Sequence, residues 1–147
     1  MPDATRHLPG WLSFANRVVR LLNRLGFRLG TIHVLTVPGR RSGVARYTPV
    51  SPLTVDGRRY VVAGLPDGDW ARNVRAARHG ELAAGRRRAE VALVEVTDPG
   101  ERRAVMRAFP VEVPSGVPFF VKLGLVTRGD PEEFAAAAGR VAVFEIR

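Results

Sequence analysis

The chain has 147 residues, of which 46% are hydrophobic and 25% charged, a balance typical of one globular domain. It contains no cysteine, which excludes disulfides, thiolate nucleophiles and cysteine-based metal sites. Its three histidines are scattered, so no metal site is expected. The net charge is +9, with 22 arginines and one lysine. This excess is explained either by a GC-rich genome or by an anionic partner such as a phosphate-bearing cofactor.

Residues 1–30 have the pattern of a basic amphipathic helix. From Trp11 to Leu29, four arginines fall on one side of a helix and apolar side chains on the other. We predict that this helix packs on the domain of residues 31–147, and a weak peripheral association with the inner membrane face is left open. No apolar run is long enough to span a bilayer and no secretory signal pattern is present, so we expect a cytoplasmic protein.

About six extended segments with short connections follow. Strands are predicted at Thr31–Val37, Val44–Val55, Arg58–Ala63, Glu81–Ala84, Arg87–Val96 and Val141–Ile146. Asp56-Gly57 is a strong hairpin turn, and Gly85 joins two further strands tightly. Hairpins produce antiparallel neighbours, so we predict an α+β protein that is mainly β, with a small, partly closed barrel and helices around it.

Three short helices are predicted among these strands. The first runs from Trp70 to His79, with Asp69 as its N-cap and Gly80 at its end. Two others follow Asp-Pro pairs that are typical of helix starts: one begins after Asp98 and reaches Phe109, and one begins after Asp130, covers Phe134–Ala138 and ends at Gly139. No element is predicted for Pro110–Gly129.

The turn Pro38–Gly43 is the most informative segment for function. Its glycines allow a sharp bend, and between them lie Arg40, Arg41 and Ser42, whose guanidinium and hydroxyl groups suit an anion. The alternative is a solvated basic hairpin turn. The segment has no Walker spacing of glycines.

Two further segments could bind a flat ligand. Trp70 and Asn73 are three residues apart, so they share one face of the first turn of their helix, where free N–H groups favour an anion. Gly64 exposes main chain at the end of a strand. The alternatives are a core tryptophan and an ordinary strand end. No Gly-x-Ser-x-Gly elbow or Ser/His/Asp set is present, so catalytic residues stay unknown. The run Arg86–Arg88 is interpreted as a solvated hairpin tip, and no nucleic-acid partner is predicted.

In order and spacing, these segments resemble the deazaflavin-dependent nitroreductase family. The resemblance rests on Gly39-Arg40-Arg41-Ser42-Gly43, Arg46-Tyr47-Thr48-Pro49, Tyr60-Val61-Val62-Ala63 and Asp69-Trp70-Ala71-Arg72-Asn73-Val74. It implies a split β-barrel of the FMN-binding type, coenzyme F-420 as cofactor and an actinobacterial type of protein. The chain has no tyrosine after residue 60, where nitro- and quinone-reducing members tend to carry them.

The resemblance also implies the cofactor-binding residues. These are Arg40, Arg41 and Ser42 at the phosphate and polyglutamate tail, Arg46, Tyr47, Thr48, Pro49, Val50 and Ser51 along the groove, Gly64, Leu65, Pro66 and Asp67 at the deazaflavin ring, and Asp69, Trp70, Ala71, Arg72 and Asn73 beside ring and phosphate. The implied activity is hydride transfer from reduced coenzyme F-420 to a small-molecule acceptor: a quinone, an enone or a nitroaromatic. An FMN-binding split-barrel oxidoreductase and a non-enzymatic carrier of an apolar ligand such as a fatty acid are the alternatives, and either a monomer or a homodimer is compatible with the sequence.

Overall fold

The computed structural model describes residues 33–147, and these residues form one antiparallel sheet that curls into a half-barrel. Its strands are β1 (His33–Pro38), β2 (Ala45–Val50), β3 (Leu53–Val55), β4 (Arg58–Ala63), β5 (His79–Ala84), β6 (Arg87–Glu95) and β7 (Ala142–Ile146). The strand order is β2-β1-β5-β6-β7-β4-β3, and every neighbouring pair is antiparallel. The predicted α+β split barrel is therefore confirmed. The predicted helix Trp11–Leu29 lies outside the described residues.

In the described part of the chain, four α-helices and two 3-10 turns accompany the sheet. The α-helices are α1 (Asp69–Ala77), α2 (Pro99–Glu112), α3 (Val117–Lys122) and α4 (Pro131–Ala136), and the 3-10 turns are Pro114–Gly116 and Ala138–Arg140. Within residues 33–147, none of the helices is long and apolar enough to cross a membrane.

The sheet has a hydrophobic core on each of its faces. Successive side chains of a strand point to opposite faces, so along β4 the buried Tyr60 joins the core under α2 and α4, while Val61 joins the core under α1. The first core is rich in aromatic rings, with the centroids of Phe109 and Phe120 4.8 Å apart. The second core, under α1, supports the side of the sheet on which the candidate site lies.

The single strand predicted over residues 44–55 was wrong, because the structure divides it into β2 and β3. Ser51 and Pro52 separate them, and the two strands then lie at opposite edges of the sheet. Proline has no N–H to donate to a strand ladder, which explains the break at Pro52. Pro49 is tolerated within β2 because β2 is an edge strand.

The ends of α1 also differ from the prediction. Gly68, rather than Asp69, is the N-cap residue, and the helix ends at Ala77 because Arg78 takes a left-handed conformation with φ of 63°. Gly80 lies within β5 instead of terminating the helix. A Cβ atom at this position would lie 2.6 Å from the carbonyl oxygen of Thr36, so glycine allows the close approach of β5 to β1.

The later helices follow the predicted starts but not the predicted ends. Asp98 and Asp130 both cap their helices, accepting bonds from backbone N–H groups at 2.8 Å and 3.0 Å. Helix α2 continues beyond Phe109 to Glu112 with Pro110 buried in its last turn, and α4 ends at Ala136. The segment without a predicted element contains the 3-10 turn at Pro114–Gly116 and α3.

Candidate functional site

A cleft of about 690 Å³ lies where the β1–β2 turn, strand β2 and the N-terminus of α1 meet. Its walls contain eleven residues: Gly39, Arg40, Arg41, Ser42, Ala45, Arg46, Tyr47, Thr48, Asp69, Trp70 and Asn73. Nine of these eleven belong to the set that the resemblance implies. The fold therefore brings the β1–β2 turn and the start of α1 to one site, although Arg40 and Asn73 are 33 residues apart in the chain.

The β1–β2 turn is closed by its own hydrogen bonds. The Gly39 N–H donates to the Val44 carbonyl at 2.8 Å, and the Gly43 N–H donates to the Gly39 carbonyl at 2.8 Å. The Ser42 hydroxyl accepts from the Val44 N–H at 3.1 Å. Gly43 has φ of 74°, which side-chain-bearing residues rarely adopt. The turn thus has a defined shape before any ligand arrives.

Arg40 and Asn73 join this turn to α1. The Asn73 side chain is 5% exposed, and its Oδ1 accepts from both the Arg40 backbone N–H at 3.1 Å and the Arg40 Nη1 at 2.9 Å. Arg40 Nη2 also lies 3.3 Å from an Asp69 carboxylate oxygen. The guanidinium of Arg40 is therefore held against the helix, and its charge is partly compensated.

Arg41 and Arg46 are the cleft residues whose positive charges could bind an anionic ligand. Both are exposed, and neither forms a hydrogen bond or ion pair with a residue in the range 33–147. Unpaired guanidinium groups lining an open cleft attract phosphate or carboxylate groups. No cluster of acidic or histidine side chains suited to a metal occurs in the described range.

Trp70 has two roles in the geometry of the site. One side of its ring packs on the core under α1, with its centroid 6.0 Å from that of Phe144. The half-buried ring also lines the cleft. The core interpretation and the ligand-binding interpretation are therefore compatible for this residue.

A sequence profile of the F420H(2)-dependent quinone reductase family matches residues 13–117. The chain belongs to this family. It is an oxidoreductase whose cofactor is coenzyme F-420, as the resemblance of the motifs implies. This membership decides against the non-enzymatic carrier and favours coenzyme F-420 over FMN. No curated protein matches the chain significantly in sequence.

Solved structures with the same fold support the assignment of the split barrel. An F420-H2-dependent reductase, FDR-A, is 22% identical with a TM-score of 0.56, over 80% of this chain and 94% of that chain. A domain-swapped dimer is 20% identical with a TM-score of 0.55, over 90% of this chain and 98% of that chain. A protein from Bacteroides thetaiotaomicron, described as a 5-nitroimidazole antibiotic resistance protein, is 9% identical with a TM-score of 0.52, over 86% of this chain and 77% of that chain. These likenesses concern the fold alone.

The cleft of this F-420-dependent reductase suits an anionic molecule. It is open and lies between the turn and α1, and the charges on its walls that have no partner within residues 33–147 are positive. The remaining residues of the implied set lie outside its walls: Val50 and Ala71 are buried in the core under α1, Pro49 and Ser51 are half-buried, and Arg72 is exposed on α1.

The loop from Gly64 to Asp67, also in the implied set, links β4 to α1 beside the cleft. A Cβ atom on Gly64 would lie 2.6 Å from Leu123 Cδ1 and 3.3 Å from Phe119 Cε1, so the α3 region packs directly on this loop. Leu65 is 57% exposed and Phe119 39% exposed. An apolar surface therefore adjoins the loop, built partly from the segment with no predicted element.

Sequence reasoning missed Arg75 and Glu95, which brace this loop. The Arg75 guanidinium donates to both Glu95 carboxylate oxygens at 2.9–3.1 Å and to the Pro66 carbonyl at 2.6 Å. The hydrogen bonds with Glu95 raise the pKa of Arg75 above its ordinary value. The guanidinium carbon also lies 5.9 Å from the Phe144 ring centroid. No local pattern links Arg75 to Glu95, because twenty residues and two strands separate them.

Proposed function

We propose that the chain binds reduced coenzyme F-420 in the cleft and transfers its hydride to a quinone. The observation that carries the proposal is the pair of cations Arg41 and Arg46, which have no ion-pair partner within residues 33–147 and line an open cleft beside the N-terminus of α1. The coenzyme supplies the hydride, so the protein needs to bind and orient the reactants and needs no catalytic triad.

The residues divide into two groups in this proposal. Arg41 and Arg46 bind the phosphate and the polyglutamate tail, with Ser42 as a further hydrogen-bonding group. Arg40 instead shapes the turn through Asn73, because its guanidinium is already engaged there. The deazaflavin ring lies against Trp70 and the backbone of Gly64–Asp67. In this proposal Arg41 and Arg46 determine the affinity for the coenzyme, whereas Arg40 contributes to the stability of the fold.

The test is titration of the protein with oxidised coenzyme F-420 and with FMN, followed by ring fluorescence at low salt. Exposed charge-assisted contacts contribute less than buried ones, so Arg41→Ala and Arg46→Ala should each weaken coenzyme binding by about 1 kcal/mol, or about fivefold. The loss should shrink at high salt, where these contacts are screened. Arg103→Ala, an exposed arginine on α2, is the matched control. Equal losses in all three variants, or tighter binding of FMN, would contradict the proposal.

The apolar surface beside the loop supports a quinone as the acceptor. Leu65, Phe119 and Leu123 together provide two aliphatic side chains and one partly exposed ring next to Gly64. A flat, uncharged ring system can pack on such a surface, whereas the arginine-lined end of the cleft suits only the anionic coenzyme.

Steady-state kinetics with a short-chain quinone and with a nitroaromatic acceptor test this assignment. Phe119→Ala should raise KM for the quinone several-fold, because a partly exposed ring contributes about 1 kcal/mol of apolar and stacking contact. Its affinity for the coenzyme should remain unchanged. Val111→Ala, an exposed apolar residue on α2, is the control. An unchanged KM for quinone in Phe119→Ala would refute the proposed acceptor surface.

A further inference from the structure

The Leu65–Gly68 turn holds its central peptide group in one orientation. The Gly68 N–H donates to the Leu65 carbonyl at 3.0 Å, so Pro66 and Asp67 are the two central residues of a β-turn. Turns of types I and II differ by a flip of the peptide between these two residues, and proline at the first central position is compatible with both. Aspartate at the second tolerates the positive φ that type II requires. In this structure the φ of Asp67 is not positive, which corresponds to type I.

In this orientation the Pro66 carbonyl accepts a hydrogen bond from Arg75. The Arg75 Nη1 donates to that oxygen at 2.6 Å, while Nε and Nη2 are held by Glu95. The carbonyl and the following N–H of a trans peptide point in opposite directions. The Asp67 N–H therefore points away from Arg75, and it makes no hydrogen bond to any residue between 33 and 147.

We propose that Arg75 is a positioning residue that aims the Asp67 N–H at the coenzyme ring as a hydrogen-bond donor. This inference rests on the proposed placement of the ring beside Gly64–Asp67. The ring carries carbonyl oxygens and ring nitrogens that accept such a bond. A fixed donor there adjusts the electronic properties of the ring, which is one of the ways a protein controls a cofactor. Glu95 contributes indirectly, because its carboxylate binds the Arg75 guanidinium, which in turn donates to the Pro66 carbonyl.

The test measures the absorbance band and the affinity of bound oxidised coenzyme F-420, without any turnover. Arg75→Met keeps an unbranched apolar side chain at this position but removes every donor. It should weaken binding about five- to tenfold, the worth of one backbone hydrogen bond, and move the absorbance band towards that of free coenzyme. Arg75→Lys has a single ammonium that can still reach the carbonyl, so it should restore part of the band shift.

Two controls separate this role from a general loss of stability. Glu95→Gln keeps an acceptor for Arg75 and leaves the Pro66 bond intact, so it should lower stability yet retain the wild-type band. Arg107→Gln breaks the exposed ion pair between Arg107 and Glu132, whose charged atoms lie 2.8 Å apart. This variant should leave both the absorbance band and the affinity for the coenzyme unchanged. A folded Arg75→Met variant with the wild-type band and affinity would overturn the inference. If Arg75→Met does not fold, loss of the band in a folded Glu95→Gln variant, in which Arg75 still donates to the Pro66 carbonyl, would overturn it as well.

Gly64→Ala distinguishes failure of this inference from failure of the ring placement. If Gly64→Ala changes the band while Arg75→Met does not, the ring lies beside the loop and only the role of Arg75 is wrong. If neither variant changes the band while Arg41→Ala still weakens binding, the ring lies elsewhere and both proposals about the loop fail.

Discussion

Replacing Asn73 with alanine should remove the contact that joins the β1–β2 turn to α1. The Asn73 Oδ1 accepts one bond from a backbone N–H and one from a guanidinium, at 3.1 Å and 2.9 Å. A neutral bond contributes about 1 kcal/mol and a bond to a charged group about 1.5–3 kcal/mol. The Arg40 side chain is 23% exposed, so water replaces part of the second bond. We therefore expect Asn73→Ala to lower the free energy of unfolding by about 2–3 kcal/mol.

Urea denaturation followed by circular dichroism measures this loss. With a slope of about 1–3 kcal/mol per molar urea, the midpoint should fall by about 1 M or more. Asn73→Asp keeps the acceptor oxygen and should lose much less stability. Arg40→Ala and the double variant complete a mutant cycle, in which the two losses should be clearly less than additive because both single variants lose the bond between Arg40 Nη1 and Asn73 Oδ1. Additive losses, or a change below about 0.5 kcal/mol in Asn73→Ala, would refute this account of the turn.

Three further predictions test other parts of the structure. Trp70→Phe should remain folded and lose most of the change in tryptophan fluorescence on coenzyme binding; a signal that persists at full strength would assign the change to other residues. Gly80→Ala should lower the free energy of unfolding by about 1–3 kcal/mol in urea denaturation, because its Cβ would meet the Thr36 backbone at 2.6 Å and backbone cannot move aside cheaply, and an unchanged midpoint would contradict this. Burial, then the hydrogen bond to Glu101, raises the pKa of Tyr60, so the folded protein keeps the phenolic proton more tightly than the unfolded chain. The stability that this raised pKa contributes is present below about pH 10 and is lost as the pH rises further. The urea midpoint of Tyr60→Phe should therefore decline less than that of the wild type above about pH 10, and equal declines would contradict this.

Local chemistry in the sequence determined many elements of this protein correctly. Asp98 and Asp130 each cap a helix because an aspartate side chain can accept from N–H groups two or three residues ahead, a bond that needs no tertiary partner. The Asp56-Gly57 turn joins β3 and β4, since both residues adopt the positive φ that this hairpin requires. The four segments that carry the family resemblance were recognisable for the same reason: each is short and contiguous.

Only the tertiary structure decided how these pieces meet. That Arg40 bonds Asn73 depends on the approach of β1 to α1, and the separation of β2 from β3 to opposite edges depends on the curl of the whole sheet. Gly80 is an example of what the sequence could not decide. A glycine is favoured both at the end of a helix and where two strands approach closely, and the neighbouring residues do not distinguish the two cases. The hydrogen bonds between Arg75 and Glu95 form only because α1 packs against β6. No periodicity or spacing along the chain relates these two residues, so the sequence alone could not predict their contact.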